Sequence, residues 1–276
     1  MTKKDRKIYL IKVPNKIEKF NSRFIKNYEN ALMEPCEEQI HNLRISIREL
    51  SEGLKISSVI LKKDYYSICR RLKELLKVLG TLRDLHVEKE ILNEKIVFND
   101  DLNHKINKYE LMVIKVLEEF DITIFKNEMN KILDDLKNAY KNLDLKKIEK
   151  NTKKFLCERY FDLINKTKNL NYNDIKSFHK ARISFKKFRY SYESLKKYLS
   201  LSKTDLKRLK KIQDELGEIN DIQNTLDYLL DFWNSKISKN SMQSLNIIKH
   251  RKIEQFLFKL EVEKTFFKKL IRKVNI

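Results

Sequence analysis

The chain has almost no backbone punctuation, with three glycines and two prolines in 276 residues. Gly and Pro are the residues that tight turns demand. Their scarcity excludes a fold of many short strands and points to long helices. Cysteine is equally scarce. Cys36, Cys69 and Cys157 are odd in number, far apart and outside any CxxC spacing. That pattern excludes a disulfide framework and a thiolate metal site, leaving reduced core thiols. No apolar run reaches the roughly 18–20 residues that cross a bilayer. The N-terminal stretch MTKKDRKIYLIKVPNKIEKF is too charged, and its apolar patch too short, for a signal-peptide core. The expectation is a cytoplasmic protein with no membrane partner.

Apolar residues make up 41% of the chain, which suffices for a buried core, and 36% are charged, as suits helices with wide solvated faces. The fold class is all-α. A formal net charge of +21 favours a polyanionic partner: nucleic acid, anionic lipid or a phosphate polymer. Lysines are scattered everywhere and reflect background composition as readily as function. Arginine is more telling. Eight of the thirteen (Arg44, Arg48, Arg70, Arg71, Arg83, Arg182, Arg189 and Arg208) fall in, or within three residues of, segments that the chain repeats. Arginine's planar fork of donors suits phosphate oxygens better than the point charge of lysine.

The repetition is explicit. HNLRISIR from His41 recurs as HKARISFK from His179, and LKELLKVLGTLRDL from Leu72 lies over LKKIQDELGEINDI from Leu209. Gly80 and Gly217 coincide in that alignment, as do Asp84 and Asp221. Two segments recurring in one order at nearly one spacing imply a duplicated helical unit, residues 1–143 and 144–276. Periodicity places helices at about 16–33, 37–61, 64–97, 102–119, 122–141, 146–168, 174–199, 203–235 and 243–272. A break is expected near Gly80. Asn173 or Asp174, and Thr204 or Asp205, are the expected N-caps of the seventh and eighth helices.

At about 100° per residue, His179, Arg182, Lys186 and Arg189 share a stripe about 80° wide. Ala181, Phe185, Phe188, Tyr192, Leu195 and Leu199 form a separate core stripe, so the aromatics are packing residues and not a base-stacking platform. Lys187 lies off the main stripe. In the first copy His41, Arg44 and Arg48 repeat the cationic row, with Leu43, Ile47, Leu50, Leu54 and Leu61 as core. Like charges at such spacing cost a few tenths of a kcal/mol per close pair, a repulsion that a bound polyanion reverses. Arg70 and Lys73, matched by Lys207 and Lys210, add cations on a helix whose core positions are Leu72, Leu75, Leu79 and Leu209, Ile212, Leu216. Arg71 and Lys211 flank them. Asp84 and Asp221 are expected to be structural acceptors for neighbouring cations, and the two matched glycines to permit close helix approach or a kink. His86, His104 and His250 match nothing in the other copy. There is no HExxH or comparable metal motif, so neither catalytic nor metal-binding residues are assigned and no cofactor is expected.

The ordered pattern H-x-x-R-[IV]-x-x-[RK]-[RK]-x-R-Y, then L-K-x-[LI]-x-x-x-L-G-x-x-x-D, in duplicate, resembles the CHAD (conserved histidine α-helical domain) family over about residues 20–270. The second copy fits best, with His179, Arg182, Lys186, Lys187, Arg189 and Tyr190 in register; LGTLRDLHV around Arg83 also matches. Glu49 and Ser51 stand where the first motif usually carries basic residues, and Asn220 stands where the first copy has Arg83. The resemblance implies two pseudo-symmetric antiparallel four-helix bundles around a basic central groove or pore, in stand-alone form. It further implies binding of long-chain inorganic polyphosphate without catalysis, and an association with polyphosphate granules. The binding residues it designates are His41, Arg44, Arg48, Arg70, Lys73 and Arg83 in the first copy. In the second they are His179, Arg182, Lys186, Lys187, Arg189, Lys207, Lys210 and Lys211, and this copy is expected to carry more of the binding. Nucleic acid is the weaker alternative partner, since no HTH, RRM, KH or OB signature is present. The oligomeric state is left open.

Overall fold

The computed structural model describes residues 10, 12–93, 100–142, 144–231 and 239–275. Among these, every regular element is helical: α1 (Val13–Met33), α2 (Glu37–Leu61), α3 (Tyr66–Asn93), α4 (Asp100–Glu119), α5 (Ile122–Asn142), α6 (Leu145–Lys168), α7 (Ile175–Ser194), α8 (Lys203–Asp231) and α9 (Lys239–Asn275). The expected helices at 64–97 and 203–235 end outside the described residues. The chain divides into two compact units, Met1–Arg83 with Lys105–Leu156 and Tyr190–Leu201, and Asp84–His104 with Cys157–Arg189 and Ser202–Ile276.

In the first unit α1 buries Ile17, Phe20, Phe24, Tyr28 and Ala31, and α2 buries Ile40, Leu43, Ile47, Leu50 and Leu54. Both sets follow the three-and-four spacing of a single helix face. Phe24, Tyr28, Phe120 and Phe125 make an aromatic cluster, with Phe24 and Phe125 centroids 4.9 Å apart. α1 and α2 approach closely at Gly53, where an added Cβ would lie 3.2 Å from Ile17 Cγ1 and 3.3 Å from Phe20 Cδ2. Gly80 and Gly217 do not serve this purpose. A Cβ on either meets nothing within 4 Å, and α3 and α8 run unbroken through them. The expected kink and close approach at these two glycines are therefore corrected. The one steric glycine is the unmatched Gly53.

In the second unit α7 buries Phe178, Ala181, Phe185 and Phe188 completely or nearly so. Phe185 and Phe188 meet Phe267 of α9 at 6.1 and 6.3 Å, and Tyr160 of α6 meets Phe188 at 6.4 Å. Asp174 caps α7, its Oδ1 accepting from the Lys176 amide at 3.0 Å. The cap of α8 is Ser202, not Thr204 or Asp205. Its Oγ accepts from the Asp205 amide at 3.0 Å, and Asp205 Oδ2 accepts from the Ser202 amide at 3.0 Å, a reciprocal capping box. α7 stops at Ser194, short of the expected 199, because Ser200 takes a left-handed φ of 50° and the Leu201 amide bonds back to the Lys196 carbonyl at 2.8 Å. Leu195, Tyr198 and Leu199 stay buried across that turn. The three cysteines form no disulfide and are half-buried, less enclosed than the expected core thiols.

These contacts set distinct stability effects. Gly80→Ala and Gly217→Ala should each raise unfolding free energy by about 0.5–1 kcal/mol, since open space receives the methyl and helix entropy improves. Gly53→Ala should lower it by about 1 kcal/mol or more through overpacking. Urea melts that rank the three alike would refute this. Burial opposes the charge on Asp205, but the Lys273 ammonium at 2.8 Å and the Ser202 amide outweigh it and hold the carboxyl below the usual range. Asp205→Asn should therefore cost about 1 kcal/mol at neutral pH. Because a depressed folded-state pKa stabilises only above the unfolded value, the difference should vanish as pH falls below about 4.

Candidate anion-binding faces

The second unit carries the fuller cationic row. With Phe178, Ala181, Phe185 and Phe188 packed inward, α7 holds His179 in solvent and Arg182, Lys186 and Arg189 half-buried along one edge. Lys187 is exposed. Across from the row, α8 supplies polar partners. His179 Nδ1 lies 2.8 Å from Asn220 Oδ1, and Arg182 Nη2 lies 3.7 Å from Asp221 Oδ1. The expected acceptor role of Asp221 is thus met by a named cation. Burial pushes its carboxyl above the usual range, with Arg182 and the Asn220 hydrogen bond acting against that and Asp84 reinforcing it. Lys207, Lys210 and Lys211 are exposed on α8 and hold no ion pair among the described residues.

The first unit repeats the row with partners of its own. Arg44 is buried, and its Nη1 donates to the Leu79 and Gly80 carbonyls at 2.8 and 3.0 Å. This gives the Gly80 region a role that sterics alone do not: its carbonyl anchors a guanidinium from α2. Arg83 is paired with Glu37, in the first turn of α2. Glu49, noted above as a departure from a basic position, accepts from Arg23 at 2.5 Å. Arg70 lies 3.8 Å from Glu74, Arg48 is half-buried, and Lys73 is exposed. The pairs 37 with 83 and 44 with 79 and 80 show that α2 and α3 run antiparallel here. His41 stands exposed beside this cluster. Partial burial, then Arg83, Arg44 and Arg48, push its pKa below the ordinary histidine value, and Glu37 only partly offsets them.

Two of the clustered arginines belong to packing. Arg71 bonds Glu128 at 2.9 Å and sits 5.1 Å over Phe120; Arg208 bonds Glu263 at 2.5 Å and sits 4.4 Å over Phe266. Both use the guanidinium plane against a ring and its edge against a carboxylate. Three partners escaped the sequence pattern: Glu37, Asn220 and the backbone carbonyls that receive Arg44. Only the odd substitution of Asn220 for Arg83 hinted at one of them. Of the unmatched histidines, His86 is buried, His104 is exposed and His250 stacks on Tyr172 at 5.3 Å. Among the described residues no group of three or more His, Cys, Asp or Glu could hold a metal ion, and no helix is long and apolar enough to cross a membrane.

An all-helical protein with the same cationic motif displayed on α2 and again on α7 defines a narrow class. Residues 17–230 match the model of the CHAD domain, and the chain belongs to that family. The fold is similar to the crystal structure of the CHAD domain from the plant Ricinus communis, with a TM-score of 0.62 and 17% identity over 96% of this chain and 91% of that one. It is also similar to PptA from Streptomyces chartreusis, with a TM-score of 0.57 and 14% identity over 89% of this chain and 95% of that one. No curated protein matches the sequence.

The electrostatics around His41 can be read directly by NMR. Its titration midpoint should fall below the ordinary value of about 6.5. Arg83→Gln should move it upward, since a repelling guanidinium is removed and Glu37 is released. An unmoved midpoint would show that Arg83 does not act on His41.

Proposed function

We propose that this chain binds long-chain inorganic polyphosphate through its cationic helix faces and performs no chemistry on it. The observation that carries the reading is the row His179, Arg182, Lys186 and Arg189, set on the polar edge of a helix whose other side is locked in an aromatic core. Polyphosphate is a flexible chain with about one negative charge per unit and no bases to distinguish. A ladder of donors at helical rise therefore suits it, and membership of the CHAD family supports the same ligand. The second unit is the principal site. Its motif is the fuller of the two, and the exposed Lys187, Lys207, Lys210 and Lys211 extend the positive field. In the first unit His41, Arg48, Arg70 and Lys73 supply a second, weaker face.

A nucleic-acid backbone offers the same charges, but its sequence-tolerant readers also stack bases on exposed aromatics. Phe178, Phe185 and Phe188 are buried, which favours a ligand without bases.

The deciding comparison is between two triple charge reversals. Replacing Arg182, Lys186 and Arg189 by Glu should weaken polyphosphate binding by at least about tenfold and flatten its salt dependence. Replacing Lys268, Lys269 and Arg272, all exposed on α9, should change it by no more than about twofold despite the equal change in charge. Equal losses would leave only bulk charge. At matched phosphate concentration, single-stranded DNA that displaces polyphosphate as readily as the reverse would favour a nucleic-acid ligand. Phosphate release in the presence of divalent metal would overturn the absence of chemistry.

A further inference from the structure

The two motif histidines face different partners. His179 Nδ1 lies 2.8 Å from Asn220 Oδ1, while Asn220 Nδ2 points toward Asp221 Oδ1 at 3.5 Å, the long end of a hydrogen bond. The second contact orients the amide, because a carboxylate only accepts and so faces the NH2 end. The amide oxygen therefore faces the imidazole, and it too only accepts. The ring proton must sit on Nδ1. In the neutral ring Nε2 then carries a lone pair, and Nε2 is the nitrogen left to meet a ligand from solvent. A lone pair facing a phosphate oxygen repels it; a proton on Nε2 makes the contact a charge-assisted hydrogen bond.

We propose that Asn220 is a positioning residue that holds His179 in the Nδ1–H tautomer, so that this histidine engages a phosphate group only as the imidazolium and binding draws a proton to Nε2. This rests on the phosphate-binding reading of the same face. The charged groups around the ring fit the coupling. Arg182 and Lys186 follow His179 along α7, and on α8 Asp221 lies 3.7 Å from Arg182. A bound polyanion neutralises the two cations and adds its own attraction to the new charge. In the first unit the position aligned with Asn220 is Arg83, which only donates and cannot hold His41 in this tautomer. The proton switch at a fixed nitrogen thus belongs to the second unit alone.

The test uses the full chain carrying His41→Gln, so that His179 is the only motif histidine, with ¹⁵N-labelled histidine at pH 8. Long-range ¹H–¹⁵N spectra should show His179 protonated at Nδ1, a shift toward Nε2–H in Asn220→Ala, and a return to Nδ1–H in Asn220→Asp, which restores an acceptor. Long-chain polyphosphate is then titrated calorimetrically at pH 8 and pH 6 in buffers of different ionisation enthalpy. With Asn220 present, binding at pH 8 should take up close to one proton, with less taken up at pH 6, and affinity should tighten by up to about tenfold per pH unit over the titrating range. With Asn220→Ala the neutral ring can already donate from Nε2, so affinity at pH 8 should be kept or improved and the pH slope should flatten. An Nε2–H tautomer in the parent, or equal proton uptake in parent and Asn220→Ala, overturns the proposal while polyphosphate binding stands. No binding by the parent overturns the phosphate reading and the coupling built on it, and the free-protein spectra still decide whether Asn220 sets the tautomer.

Discussion

The cationic row of the second unit depends on the aromatic packing behind α7. Arg182, Lys186 and Arg189 share one edge with His179, and like charges at such spacing repel at a few tenths of a kcal/mol per close pair. The helix cannot roll to spread them, because rolling would expose Phe185 and Phe188, each fully buried. Burying a phenylalanine side chain is worth about 1.5–3 kcal/mol, so packing outweighs repulsion several times over. The hydrophobic face thus fixes where the row stands. On the proposed reading, a polyanion meets side chains already arranged, with little further ordering required of the protein.

The two motif copies face different neighbours. In the first, Arg83 pairs with Glu37 and Arg44 turns inward to two carbonyls, contacts that join α2 to α3, while Glu49 pairs with Arg23 of α1. In the second, Asp221 stands 3.7 Å from Arg182 and is itself penalised by burial. Asn220 replaces a cation with a neutral amide and gives His179 an orienting partner.

The helices were legible because apolar spacing repeats over many turns, and the core stripes of α2, α3, α7 and α8 are buried as the pattern requires. Errors fell where a single partner decides. Ser202 caps α8 because its hydroxyl and the Asp205 carboxylate close on each other, which Thr204 and Asp205 considered separately do not reveal. Gly80 and Gly217 were conspicuous by matching, yet the glycine under steric demand is Gly53, whose neighbours Ile17 and Phe20 come from a different helix. Arg71 and Arg208 joined the arginine cluster by position alone, and rings from distant helices claim them for packing.

The sequence by itself determined an all-helical chain, the face each helix buries, and the pair of histidine-led cationic rows. These are properties of one helix at a time, set by residue type and a fixed angular step. Only the tertiary structure decided what each of these cations and histidines faces. That choice rests on which carboxylate, carbonyl or ring lies within hydrogen-bond or contact distance across an interface, and periodicity along one helix carries no information about its neighbour. Glu37 beside Arg83, the carbonyls beneath Arg44 and Asn220 beside His179 are all of this kind.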